Sequence, residues 1–252
     1  MAVNFRHALV PGGGSGIGRA IAEALAQAGV TVTICGRRVE AREAVAEGNP
    51  NIHVQVADVT DEDSVAQLYE RAQAARGPFD IVIANAGMAV SAPAGKTSLE
   101  LWQQTMSVNL TGAFLSVRPA IDPMRKTGSG RIVFIASIAG LKGAPYISAY
   151  VASKHGVVGL TRALAAELAH TEVTVNAVCP GYVETPMLER TVANIIEKTG
   201  RDEASARAAG TKDNPQGRII TPQEVAETVL WLCGEGARSV TGQAIAMAGG
   251  EA

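Results

Sequence analysis

Within SAYVASKHG, residues 148–156, a tyrosine (Tyr150) and a lysine (Lys154) stand four positions apart. The stretch has no proline and its one glycine lies at the end, so it reads as helix. Side chains at i and i+4 share a helix face, which puts a phenol beside an ammonium. A free tyrosine titrates at about pH 10, too high to exchange protons readily at neutral pH. An adjacent cation favours the phenolate and lowers that value, which makes Tyr150 a candidate proton donor. Ser137 precedes the pair at the end of an apolar run, where its hydroxyl can donate to a developing oxyanion. Asn109, in MSVNLTG, falls in a long helical segment near 98–118.

The elements that must position these groups alternate along the chain. Apolar, β-branched runs at 7–10, 31–35, 52–56, 79–84, 131–136, 173–178 and 244–247 read as strands. Between them, 16–29, 61–75, 98–118, 150–169 and 222–233 carry apolar residues at three- and four-residue spacing and read as helices. The first six strands are almost unbroken in apolar character, as expected of parallel strands covered on both faces. The alternation predicts an α/β fold with a doubly wound parallel sheet. It spans residues 1–252 as a single domain, with an insertion at about 186–217 expected to form a lid over the sheet edge. Pro119 and Pro123 are expected to kink or end the helix bearing Asn109.

Such sheets bind ligands beyond the carboxyl ends of their strands, and small or polar residues follow strand after strand. Gly12, Gly13, Gly14, Ser15, Gly16, Ile17 and Gly18 follow the first, Gly36, Arg37 and Arg38 the second, and Asp58 and Val59 the third. Asn85, Ala86 and Gly87 follow the fourth, Ser137 the fifth, and Pro180 and Gly181 the sixth. A glycine turn between strand and helix lets backbone N–H groups approach a pyrophosphate at the helix N-terminus. No carboxylate ends the second strand. Guanidinium groups there suit a 2′-phosphate, so NADP(H) is favoured and NAD(H) remains possible.

With a formal charge of −2, no global field favours nucleic acid or an anionic membrane. Hydrophobic residues make up 47% and charged residues 18%, which fits a well-buried core. The N-terminus has no signal-like apolar run, and no stretch is long enough to span a bilayer, so the expectation is cytoplasmic. Cys35, Cys179 and Cys233 are scattered, as are the histidines, and no metal site is expected.

With ANAG at 84–87, CPGYVET at 179–185 and the terminal TGQAIAMAGG, the pattern resembles the short-chain dehydrogenase/reductase family over its whole length. The likeness is to the compact branch that includes the β-ketoacyl reductases. It implies a Rossmann-like, seven-stranded sheet with helices on both faces and an NAD(P)-dependent oxidoreductase interconverting a ketone and a secondary alcohol. A 3-oxoacyl thioester of coenzyme A or acyl carrier protein is the favoured substrate, with small or cyclic ketones the alternative. The resemblance makes Tyr150 the general acid/base, Lys154 the ribose ligand that lowers its pKa, Ser137 the group orienting the substrate oxygen, and Asn109 the anchor of a relay water. It gives the phosphates to Gly12, Gly16 and Gly18, the adenine to Asp58 and Val59, the adenosine ribose to Asn85, and the carboxamide to Val183 and Thr185. It further implies a homotetramer, with a pocket walled by Met88, Ala89, Leu141, Gly143, Tyr146, Tyr182 and Met187. Pro11 stands where the family usually has threonine, which leaves the loop without a hydroxyl and a backbone donor. A non-catalytic nucleotide sensor would lose Tyr150, Lys154 or Ser137, and a sugar-nucleotide epimerase needs a longer chain with tighter glycine spacing.

Overall fold

The computed structural model describes residues 4–37, 40–208 and 210–251. Seven strands, β1 (His7–Pro11), β2 (Thr31–Gly36), β3 (Ile52–Val56), β4 (Ile81–Ala84), β5 (Ser129–Ile135), β6 (Glu172–Pro180) and β7 (Ala244–Met247), form one parallel sheet. Their order is β3-β2-β1-β4-β5-β6-β7, so the winding reverses between β1 and β4. A crevice opens there, at the carboxyl ends.

Alternate side chains leave each strand on opposite faces, and both faces are covered. Helices α1 (Gly16–Gln27), α2 (Glu40–Ala46) and α9 (Pro222–Cys233) pack Ile21, Leu25, Val45, Val225 and Val229 against Ala8, Val10, Val32 and Ile34. On the other face, α3 (Glu62–Arg76), α5 (Gly112–Thr127) and α6 (Ser148–Glu167) pack Leu68, Val117, Val157 and Leu164 against Leu9, Val82, Ile132 and Val175. Double coverage is why the strands read as continuous apolar runs.

The elements differ from the sequence-based expectation in four of their features. Helix α2 was not anticipated. Strand β6 runs through Pro180, and β4 starts at Ile81 rather than at residue 79. The helical stretch from α4 (Leu99–Met106) through a π-turn (Ser107–Thr111) into α5 does not end at Pro119 or Pro123. Leu115, Val117, Ala120 and Met124 are buried around the two prolines, and that packing offsets the backbone hydrogen bonds that proline cannot make.

Segment 186–217 carries α7 (Pro186–Thr199) and α8 (Glu203–Ala208), which close a small apolar cluster of their own around Leu188, Val192 and Ala206. Arg207 of α8 bonds Glu184 at 2.9 and 3.1 Å and also pairs with Glu189 of α7, tying the segment to the chain leaving β6.

Candidate active site

A cleft of about 480 Å³ runs along the carboxyl ends of the central strands. Its floor is the β1–α1 turn. A side chain at Gly18 would force the turn to shift, since a Cβ there would lie 2.4 Å from Asn85 Nδ2 and 2.5 Å from the Gly12 carbonyl oxygen. That closeness lets the Asn85 amide donate to the Pro11 carbonyl at 3.0 Å and to the Gly12 carbonyl at 3.3 Å. Asn85 therefore steadies the turn that Pro11 leaves without a hydroxyl.

The same turn starts α1 with its amides open. Ser15 is the N-cap in extended conformation, its side chain caps nothing, and the first turn has no acidic residue. Helices α3, α4, α7 and α9 are instead capped by Asp61, Ser98, Thr185 and Thr221. Open N–H groups and a glycine turn suit a phosphate, so the residues present fit the pyrophosphate of a dinucleotide.

At one end of the cleft lie Cys35, Gly36, Arg37, Arg42, Ala57, Asp58 and Val59. Asp58 is oriented by Thr60, which donates from its backbone at 2.9 Å and its hydroxyl at 2.8 Å and holds the carboxyl below the usual range. Arg37 approaches the same carboxylate at 4.0 Å. Arg42 is buried, with a guanidinium nitrogen 2.8 Å from where a Gly36 Cβ would stand. Arg38 lies outside the described residues.

At the other end, Tyr150 and Lys154 of α6 both face the cleft, as their spacing predicts. Lys154 Nζ donates to the Ile135 carbonyl at 2.7 Å and lies 5.7 Å from the Tyr150 ring centre. Burial lowers its pKa to about 8. Tyr150 is half-buried, and burial pushes its pKa up, with a hydrogen bond to Ser137 pulling it back. Desolvation disfavours the charged form of each group, raising the tyrosine and lowering the lysine. Ser137 is fixed by its own turn, accepting from Ala139 N at 3.1 Å, with the Pro180 carbonyl 3.5 Å away.

Asn109 sits behind the cleft in the π-turn. Its side chain accepts from Met88 N at 2.8 Å and donates to the Met88 carbonyl at 2.9 Å and to Ser153 Oγ at 3.1 Å. Those contacts hold the loop that follows β4 against α6. The chain places Gly12, Ser15, Gly16, Ile17, Gly18, Arg37, Asp58, Val59, Asn85, Ala86, Gly87, Tyr150, Lys154 and Thr185 on the cleft wall. Ser137, Asn109, Pro180, Gly181 and Val183 stand behind or beside it. Val183 is buried and bridged to Ile220. Of the expected substrate wall, Met88 and Met187 line the cleft, whereas Tyr146 and Tyr182 are exposed. Arg42 and Arg190 were not anticipated. An arginine shortly past the second strand was the available signal for Arg42, and nothing local marked Arg190, which reaches the cleft only because α7 folds across it.

A doubly wound sheet with a glycine turn at its reversal point and a tyrosine, lysine and serine grouped beyond β5 defines a nicotinamide-dependent oxidoreductase. The sequence model described as "short chain dehydrogenase" matches residues 6–195, and the chain belongs to that family. It is 37% identical to a D-beta-hydroxybutyrate dehydrogenase of Rhizobium meliloti (strain 1021), over 96% of this chain and 97% of that one. It is 40% identical to a putative ketoacyl reductase of Streptomyces coelicolor, over 96% and 95%. A crystal structure of a Phe-to-Trp variant of actinorhodin polyketide ketoreductase with NADPH superposes with a TM-score of 0.94 at 37% identity, covering 100% of this chain and 99% of that one. The protein is an NAD(P)-dependent oxidoreductase that interconverts a ketone and a secondary alcohol. Among the described residues no helix is long and apolar enough to cross a membrane.

Proposed function

We propose that this chain reduces 3-oxoacyl thioesters to their 3-hydroxy forms with NADPH. The carrying observation is the meeting of Tyr150, Ser137 and Lys154 at one end of a cleft whose floor offers uncapped backbone amides. When bound, reduced nicotinamide supplies the hydride. Ser137 and Tyr150 hold the carbonyl oxygen between two hydroxyls, so charge developing there meets donors already in place. Tyr150 then passes its proton to that oxygen. Lys154, anchored on Ile135, holds the ribose and, when charged, stabilises the phenolate left behind. Asn109 acts as a positioning residue for the 85–88 loop.

For the cofactor, Arg37 and Arg42 frame the adenosine end while Asp58 is turned toward Thr60, which favours a 2′-phosphate. Gly12, Gly16 and Gly18 take the pyrophosphate, Val59 and Asn85 the adenosine, and Thr185 and Val183 the carboxamide. Segment 186–217 closes over the cleft as a lid. Ketoacyl reductases and a hydroxybutyrate dehydrogenase among the relatives support a 3-oxoacyl substrate. We place the enzyme in the cytoplasm as a homotetramer.

The test follows oxidation of NADPH and of NADH with an acetoacetyl thioester and with simple ketones, in wild type and Tyr150→Phe. Wild type should turn over the thioester faster with NADPH. The variant should lose at least about a thousandfold of turnover while binding NADPH within a few-fold of wild type. Turnover of simple ketones alone would overturn the substrate class, and equal loss of cofactor binding would overturn the role of Tyr150.

A further inference from the structure

Close to Ser137, beside the residues that line the cleft, lies an ion pair. Lys142 Nζ lies 2.7 Å from Glu251 Oε1, and the Glu251 side chain is only 11% exposed. Both partners are tied to the catalytic end by backbone hydrogen bonds and close packing. From Ser137, Ala139 N donates to the serine hydroxyl, Gly140 N to its carbonyl at 2.8 Å, and Lys142 N to the Ile138 carbonyl at 3.1 Å. From the other side, the Pro180 carbonyl faces Ser137 Oγ, and a methyl group on the next residue, Gly181, would stand 3.7 Å from Glu251 Oε2. The carboxylate's field also reaches the Tyr182 hydroxyl, which it helps push up.

The segment carrying Glu251 is pinned. Gly181 N donates to the Met247 carbonyl at 2.9 Å and Glu251 N to the Ala248 carbonyl at 3.1 Å. Gly249, at φ +62°, packs so closely on Asn214 that a Cβ would lie 1.9 Å from its Oδ1. Lys142 therefore leaves the turn that begins at Ser137 with its charge already answered by the chain's own carboxylate.

We propose that Lys142 and Glu251 are a substrate-charge filter: the built-in carboxylate occupies the lysine that a free acid would need. A neutral ester or thioester passes this end without disturbing the pair. An anionic 3-oxo acid meets Glu251 as a like charge, which costs binding unless the pair opens. The inference deepens the substrate reading above and rests on it.

The experiment compares kcat/KM for two matched pairs, ethyl acetoacetate with acetoacetate, and methyl 4-oxocyclohexanecarboxylate with its free acid. Wild type should prefer the neutral member of each pair it reduces. Glu251→Gln should raise kcat/KM for the acid about tenfold, an increase that fades as KCl rises, and change the ester less than about twofold. Lys142→Gln should gain nothing with the acid, and the double variant should lose the gain. A ratio of acid to ester within twofold of wild type in Glu251→Gln overturns the filter. Equal shifts in both single variants also overturn it, since that is what loosening of the loop alone would give. Reduction of the cyclic pair alone would count against the thioester reading while still reporting the charge selection.

Discussion

The side-chain amide of Asn109 brackets the backbone of Met88, accepting from its N–H at 2.8 Å and donating to its carbonyl at 2.9 Å. One buried side chain thereby completes both backbone groups of a loop residue that lines the cleft. Asn109→Asp keeps the shape but removes both donor hydrogens, leaving the Met88 carbonyl and Ser153 facing a carboxylate. A buried polar group left without its partner costs about 1–3 kcal/mol. The melting temperature should fall by several degrees, at about 2–4 °C per kcal/mol for a chain of this size. Turnover should fall further than stability alone explains. A melt and kcat indistinguishable from wild type would remove Asn109 from its positioning role.

The β1–α1 turn makes a sharper prediction. In Gly18→Ala the added methyl would meet the Gly12 carbonyl oxygen at 2.5 Å, a backbone atom that must move. Helix α1 itself gains from alanine, so global unfolding is not the expected result. The cost falls on the phosphate cradle, and Kd for NADPH should rise at least about tenfold, or roughly 1.4 kcal/mol. Fluorescence titration measures this directly. An unchanged Kd would mean that the pyrophosphate sits elsewhere.

Most of the sheet was legible because double coverage makes the central strands apolar runs ended by small or polar residues, as at Ile132–Ser137. Helix α2 was not, since its seven residues leave room for little apolar periodicity, with Val45 and Arg42 its buried positions. The continuation through Pro119 and Pro123 depends on tertiary burial of Leu115 and Met124, which no local propensity records. At the site, spacing located Tyr150 and Lys154 on one face. It did not reveal that Lys154 turns onto the Ile135 carbonyl, because that contact joins a helix to a strand nineteen residues earlier. Desolvation, which raises the Tyr150 pKa, is likewise a property of the assembled cleft.

At the opposite end of the sheet, His7 is buried with Nδ1 donating to the Gly77 carbonyl at 2.9 Å and Nε2 accepting from Thr33 Oγ1 at 2.9 Å. Burial lowers its pKa, and the nearby Arg76 and His53 push the same way, against Asp80 and the Gly77 contact. The folded state therefore prefers the neutral ring, while the unfolded chain takes up a proton at about pH 6.5. Its contribution is complete above that pH and is lost as the pH falls below it. Melting curves between pH 8 and 5.5 should show wild type losing a few degrees more than His7→Gln. Parallel curves would mean that other groups govern acid sensitivity.

Lys154 should leave two opposite signatures in one pH window. Its folded pKa of about 8 lies below the value of about 10.4 in an unfolded chain. Between those values the unfolded state binds more protons, so the protein without cofactor should gain stability as pH rises from about 8 to about 10.4. Cofactor binding runs the other way. A ribose held by Nζ and the charge of the phosphates favour the ammonium, so NADPH affinity should fall above about pH 8, by at most about tenfold per pH unit. Lys154→Met should flatten both curves together, because one proton links them. Affinity that stays level to pH 10 in wild type, or that still falls in the variant, would assign the titration to another group and leave Lys154 without a hold on the ribose.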